Sequence, residues 1–158
     1  MRAELRKQIP KTRGCGPAII LAIILVVAGG GVLLWNWVQN TPSRMVQKAI
    51  AAARQSGEPG LKPFMTPESL ANPSSEAWLR QLVQAFKCTT MLKREEVVGD
   101  EGTAHVLVTQ RAVGNLAPQT DLGVRAVRSK DKGWLIELEP TMASVSPQFW
   151  LALAASPP

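Results

Sequence analysis

The chain has no tyrosine, one histidine and two cysteines in its 158 residues. Each scarcity closes off some chemistry. Without tyrosine, no catalytic arrangement built on a phenol is open to it. Two cysteines make no disulfide framework. One histidine, with no cluster of cysteines or carboxylates around it in the sequence, gives no metal-ligand spacing, and no metal or cofactor is expected. No glycine-rich phosphate loop follows a strand, and no internal repeat is found. A further absence is more informative. No charged residue occurs between Arg13 and Arg44.

That gap holds the apolar run Ala18 to Val38, AIILAIILVVAGGGVLLWNWV. At about 1.5 Å rise per residue the run is about 31 Å long as a helix, close to a hydrocarbon core of roughly 30 Å. The sequence therefore predicts a transmembrane helix over 18–38. Arg2, Arg6, Lys7, Lys11 and Arg13 precede it with one acid, Glu4. This bias predicts a cytoplasmic basic tail over 1–17 and an extracytoplasmic domain over 39–158, a single-pass protein of the cytoplasmic (inner) membrane. Trp35 and Trp37 suit the headgroup layer at the outer end. The alternative is a signal peptide cleaved after Ala28, since Val26-Val27-Ala28 has small-residue spacing. The apolar character runs on through Leu34 to the tryptophans, which favours an uncleaved anchor.

The charge of +6 divides unevenly. Residues 1–17 hold five bases and one acid, leaving 13 bases against 11 acids elsewhere, or +2. The high pI of about 9.8 thus reflects mainly the basic tail. No basic patch with interleaved aromatics appears beyond it, so nucleic acid is not an expected partner. Cys15 precedes the apolar run, which is the wrong side for a lipoprotein cysteine. Cys15 and Cys88 are expected on opposite sides of the membrane and so cannot pair within one chain. Gly29-Gly30-Gly31, with Ala18 and Ala22, would permit close helix approach and a homodimer through the anchor.

Beyond a short linker, Ser43 is placed to cap a helix over Arg44 to Gln55, with Met45, Val46, Ala49, Ile50 and Ala53 as its apolar stripe. Ser56-Gly57-Glu58-Pro59-Gly60 should end it. Thr66-Pro67-Glu68 predicts a short helix to about Ala71. A stronger one runs from Ser75 to Lys87, with Trp78, Leu79, Leu82, Val83 and Phe86 on one face. The period then shortens to two. Strands are predicted over Met91–Val98 and Thr103–Arg111, with Ala104, Val106 and Val108 sharing a side. A third is marked by Leu122, Val124 and Ala126. The last alternates from Trp134 through Leu138 and stops at Pro140. Helices followed by a meander predict an α+β domain, three helices packed on one face of an antiparallel sheet. Ser146-Pro147 opens a last apolar helix carrying Phe149, Trp150, Leu151 and Leu153, too short to span a bilayer and expected either to fold back onto its own domain or to offer a surface to a partner.

The segments PSRMVQKAIAAARQSG at 42–57, WLRQLVQAF at 78–86, GTAHVLVT at 102–109 and KDKGWLIELEP at 130–140 carry a resemblance. Over residues 42 to 140 the chain resembles small membrane-anchored members of the nuclear transport factor 2-like superfamily, also called cystatin-like α+β cones. The resemblance implies a curved sheet wrapped over helices with a cavity between them. Sister families include isomerases and dehydratases, but the missing tyrosine departs from the isomerase oxyanion arrangement. Residues 141–158 fall outside the pattern.

No catalytic residue is assigned. His105 has no acid in its predicted strand to orient it, as a general base requires. Glu95 and Glu96 are neighbours on a strand and point to opposite faces. Trp78, Phe86 and Trp134 are the candidates for lining a ligand cavity. Phe149, Trp150 and Leu153 are the candidates for contact with a partner. The function expected is a non-enzymatic binding or assembly module of an envelope complex, with an envelope protein as partner. The alternative is a carrier or sensor of an apolar small molecule, held between helices and sheet.

Overall fold

A computed structural model describes residues 40–110 and 117–155. The chain divides into two compact units, 1–38 and 39–158, and every described element belongs to the second. The basic tail, the predicted span 18–38, Cys15, the triple glycine and the loop residues Gly114 and Asn115 lie outside the described residues. Among the described residues, no helix is long and apolar enough to cross a membrane.

The first helix, α1, runs Pro42–Ser56. Its cap is Thr41 and not Ser43: the Thr41 hydroxyl accepts the Arg44 N–H at 3.3 Å, and Pro42 fills the first helical position. Proline fits there because its missing N–H has no partner in the first turn anyway. Gly57 ends the helix at φ 64°, a conformation that glycine adopts freely. The helix thus ends within the segment expected to stop it, and the chain turns at once into new helical structure. It forms α2, Glu58–Leu61, and a 3-10 turn, Lys62–Phe64. Gly60 lies against the Ala52 carbonyl, where a β-carbon has no room, and this lets Leu61 reach the core fully buried.

The helix α3, Pro67–Ala71, is capped by Thr66, whose hydroxyl accepts the Ser69 N–H at 3.2 Å. α4, Ser75–Lys87, buries Leu79, Leu82, Val83 and Phe86. Its end is tied to α1 by Arg54, which donates to the Phe86 and Cys88 carbonyls at 2.7 and 2.8 Å.

Four antiparallel strands follow in the order β1-β2-β3-β4. They are β1 Thr89–Val98, β2 Glu101–Thr109, β3 Gln119–Ser129 and β4 Gly133–Ile136. The fold is thus α+β, with a four-stranded antiparallel sheet and several helices. Alternation does the sorting. Ala104, Val106, Val108, Leu122, Val124 and Ala126 turn one face into the core. α1 packs against β1, β2 and β4, and α4 packs against β1.

The last strand is shorter than its alternation suggests. It stops at Ile136, and Leu138–Ala143 forms a helix, α5, with Pro140 in its first turn. Pro140 therefore does not stop a strand; it opens a helix, at a position where no N–H is needed. The switch is enforced by β3. Past Ala126 it has no strand beside it, and α5 takes that place. The Glu137 N–H donates to the Arg125 carbonyl at 3.0 Å, and the Arg125 N–H donates to the Thr141 hydroxyl at 3.0 Å. The final helix, α6, is Pro147–Ala155 and packs on α4.

Candidate functional site

The sheet face turned away from the core carries the polar chemistry. Which β1 residues reach it is decided by an irregularity at Lys93. Leu92 pairs with Val106, but Arg94 pairs with His105, so two steps on β1 match one on β2. A bulge of this kind leaves one residue unpaired and reverses the alternation beyond it. It sends Arg94 and Glu96 to the polar face and Glu95 to the helix side. There the Glu95 carboxylate accepts the Ser43 N–H of α1's first turn at 3.0 Å. A carboxylate at that end also complements the helix dipole. The two adjacent glutamates thus do opposite jobs, as their alternation predicted.

His105 sits in the middle of the polar face. Directly across on β3 is Gly123, which offers no side chain, so the imidazole leans toward the diagonal neighbour Asp121. Its Nδ1 lies 3.3 Å from Asp121 Oδ1. Its Nε2 lies 3.8 Å from Glu96 Oε1, close enough for an ionic contact. Arg125 stands one pair further along and donates to the Thr103 hydroxyl at 3.1 Å and to Glu101 at 3.3 Å. Thr103, His105, Asp121 and Arg125 floor a groove of about 720 Å³ walled on one side by Pro140 and Ser144.

The arrangement differs from the sequence expectation for His105. Glu101 shares its strand, and both neighbouring strands bring it a carboxylate. Chemically, Asp121 is placed to orient the ring through Nδ1, whereas Nε2 stands 3.8 Å from Glu96, beyond hydrogen-bond reach. With Arg125 and Glu101 at 41% and 67% exposure, their pair contributes at most about 1 kcal/mol. The face is a mixed-charge surface with a shallow groove. Among the described residues, no group of His, Cys, Asp and Glu is placed to hold a metal ion.

The three cavity candidates are not brought together. Phe86 is fully buried in the packed core. Trp134 is buried, and its Nε1 donates to the Asn40 carbonyl at 3.0 Å, near a small cleft beside Pro63 and Phe64. Trp78 is half-buried and lines a different groove of about 500 Å³, with Met142, Val145, Trp150 and Leu151. The three partner-contact candidates are turned inward. Phe149, Trp150 and Leu153 pack into the domain's own core, at 6%, 6% and 1% exposure. Trp150 Nε1 donates to the Met142 carbonyl at 3.0 Å, and its ring meets Phe149 edge-on with centroids 4.8 Å apart. The three thus belong to the domain's own core, and Trp150 also lines the groove beside Trp78. The large apolar side chain that α6 leaves outside is Leu151, 70% exposed.

Cys88 lies at the α4–β1 junction, half-buried, with its thiol 3.5 Å from the Gln84 carbonyl. Burial pushes this thiol above its ordinary value, and the Arg54 guanidinium opposes the shift.

Asp121 and Arg125 were missed because pairing, not local sequence, makes them neighbours of His105. A signal for Glu96 did exist. Counting outward from the two-residue turn Gly99-Asp100 sets Val98 against Glu101 and Glu96 against Thr103, one diagonal from His105. Comparison with known protein families, characterised proteins and solved structures finds no match for this chain.

Proposed function

We propose that the chain is a membrane-anchored assembly module. The run 18–38 holds it in the cytoplasmic membrane, residues 39–158 lie outside, and the domain binds protein in the cell envelope without catalysing a reaction. One observation carries the reading. Of the large apolar side chains exposed among the described residues, Met91, Val97 and Val98 all belong to the edge strand β1. An exposed edge with apolar side chains is a template for strand pairing, and natural proteins rarely leave one bare without a use. The nuclear transport factor 2-like likeness, with its curved sheet, is proposed as the scaffold that displays this edge.

The carrier reading has less support, because Phe86, Leu79, Leu82, Val106, Leu122 and Val124 are fully buried against one another where its ligand would lie. The deciding experiment is crosslinking of the full chain in native membranes, then purification in mild detergent. Recovery of a stoichiometric protein partner is the expected result. Recovery without protein, but with a lipid or metabolite retained in native mass spectrometry, would replace this reading with the carrier.

A further inference from the structure

We infer that the free edge of β1 pairs antiparallel with β1 of a second copy of this chain, in one register. The inference rests on the assembly reading and names its partner. β1 is a ten-residue strand bonded to β2 on one side only. Among the described residues, its backbone makes no hydrogen bond to any other element.

The register follows from the bulge. Residues directly opposite in a sheet must share a face. Met91, Arg94, Glu96 and Val98 face the polar side, while Leu92, Glu95 and Val97 face the helix side. A twofold axis at Glu95 then sets Arg94 against Glu96 of the second copy. The unpaired Lys93 steps out on each strand, so Leu92 meets Val97 and Met91 meets Val98. Every pair shares a face, each apolar residue meets an apolar one, and each arginine meets a glutamate, twice over by symmetry. The one like-charged pair is Glu95 with itself, and each Glu95 carboxylate is already engaged by the Ser43 N–H. Such self-complementarity is what a twofold interface demands. Without the bulge, the residues at 91 and 98 would lie on opposite faces and this pairing would fail. The same bulge and Lys93 discourage other strands, whose alternation would not match.

The test uses the full chain with Cys15 and Cys88 replaced by serine, co-expressed in membranes as two differently tagged forms. One carries Met91→Cys and the other Val98→Cys. Directly opposite residues in antiparallel strands have Cα atoms about 4.5–5.5 Å apart, which suits a disulfide. A crosslinked mixed dimer is expected under mild oxidation, and neither form alone should crosslink. Arg94→Glu should lose the crosslink, and adding Glu96→Arg on the same chain should restore it. The position dependence separates this contact from association through residues 18–38. If no mixed dimer forms and a different envelope protein is recovered, the self-pairing is overturned while the assembly reading stands. If no mixed dimer forms and no protein is recovered, both fall.

Discussion

The two edges of the sheet are treated in opposite ways. At the β3–β4 edge several backbone groups are engaged from outside the sheet. Met65 bridges to Ile136, the Thr66 N–H donates to the Ile136 carbonyl at 3.0 Å, and α5 covers β3 where β4 ends. At the β1 edge, three apolar side chains and a row of backbone groups face outward. One helix and a linker segment close one edge while the other is left bare, and the proposed pairing uses the bare one. The contrast also separates stability from binding: variants at the covered edge should unfold the domain, and variants at the free edge should leave it folded.

The largest effect is expected at the brace of the covered edge. Trp150→Ala removes a buried ring and the hydrogen bond to Met142 that holds α5 in place. It should cost about 3–5 kcal/mol, read as a fall in the urea midpoint of the full chain in detergent. Deleting 147–158 should unfold the domain altogether. If the deleted chain stays folded, the tail is not part of the core. Next comes Thr141→Val, which keeps the shape but leaves the Arg125 N–H without its acceptor. Thr141 is fully buried, so the loss should be about 1–3 kcal/mol, with faster hydrogen exchange at the Arg125 amide.

Arg54→Met should cost less, about 1.5 kcal/mol, by freeing the Phe86 and Cys88 carbonyls at the start of β1. It carries a second readout. Burial raises the Cys88 thiol and Arg54 opposes this, so the reactive thiolate forms at higher pH than in an ordinary cysteine. In a Cys15→Ser background, alkylation of Cys88 should rise with pH above the ordinary thiol range. Arg54→Met should move that rise to still higher pH, because the opposing charge is gone. A shift to lower pH would refute the assignment. His105→Gln should have the smallest effect, within about 1 kcal/mol, since its carboxylate partners are exposed at 42% and 59%.

The parts of this fold legible from the sequence are those fixed by local periodicity. Ser75–Lys87 is helical over the predicted span because one face is continuously apolar. Ala104, Val106 and Val108 face the core because alternation admits no other placement. The misreadings have a common origin. Trp134, Ile136 and Leu138 alternate like a strand, but the Leu138 N–H donates to the Ser69 hydroxyl of α3 at 3.0 Å, a partner that only the assembled domain provides. Phe149, Trp150 and Leu153 fold back onto their own domain, as their apolar character first suggests, but that α4 is what they pack on is not written in the tail. The His105 surroundings are harder still. The turn Gly99-Asp100 gives the register of Glu96, but Asp121 comes beside the imidazole only through the pairing of β2 with β3, which no local signal in the sequence sets.

The hydrogen bond from Trp134 to Asn40 has a mechanical consequence. It joins the first described residue of the domain to the opening of β4, 94 residues later in the chain. Gly133 crowds the same asparagine, with a β-carbon position 3.0 Å from its side-chain oxygen. Tension applied to the chain ahead of residue 40 is therefore borne by the indole and passed into the β3–β4 hairpin, instead of peeling α1 from its N-terminus. In a pulling experiment the wild type should yield by shear of that hairpin. Trp134→Phe should yield at lower force, with α1 leaving first.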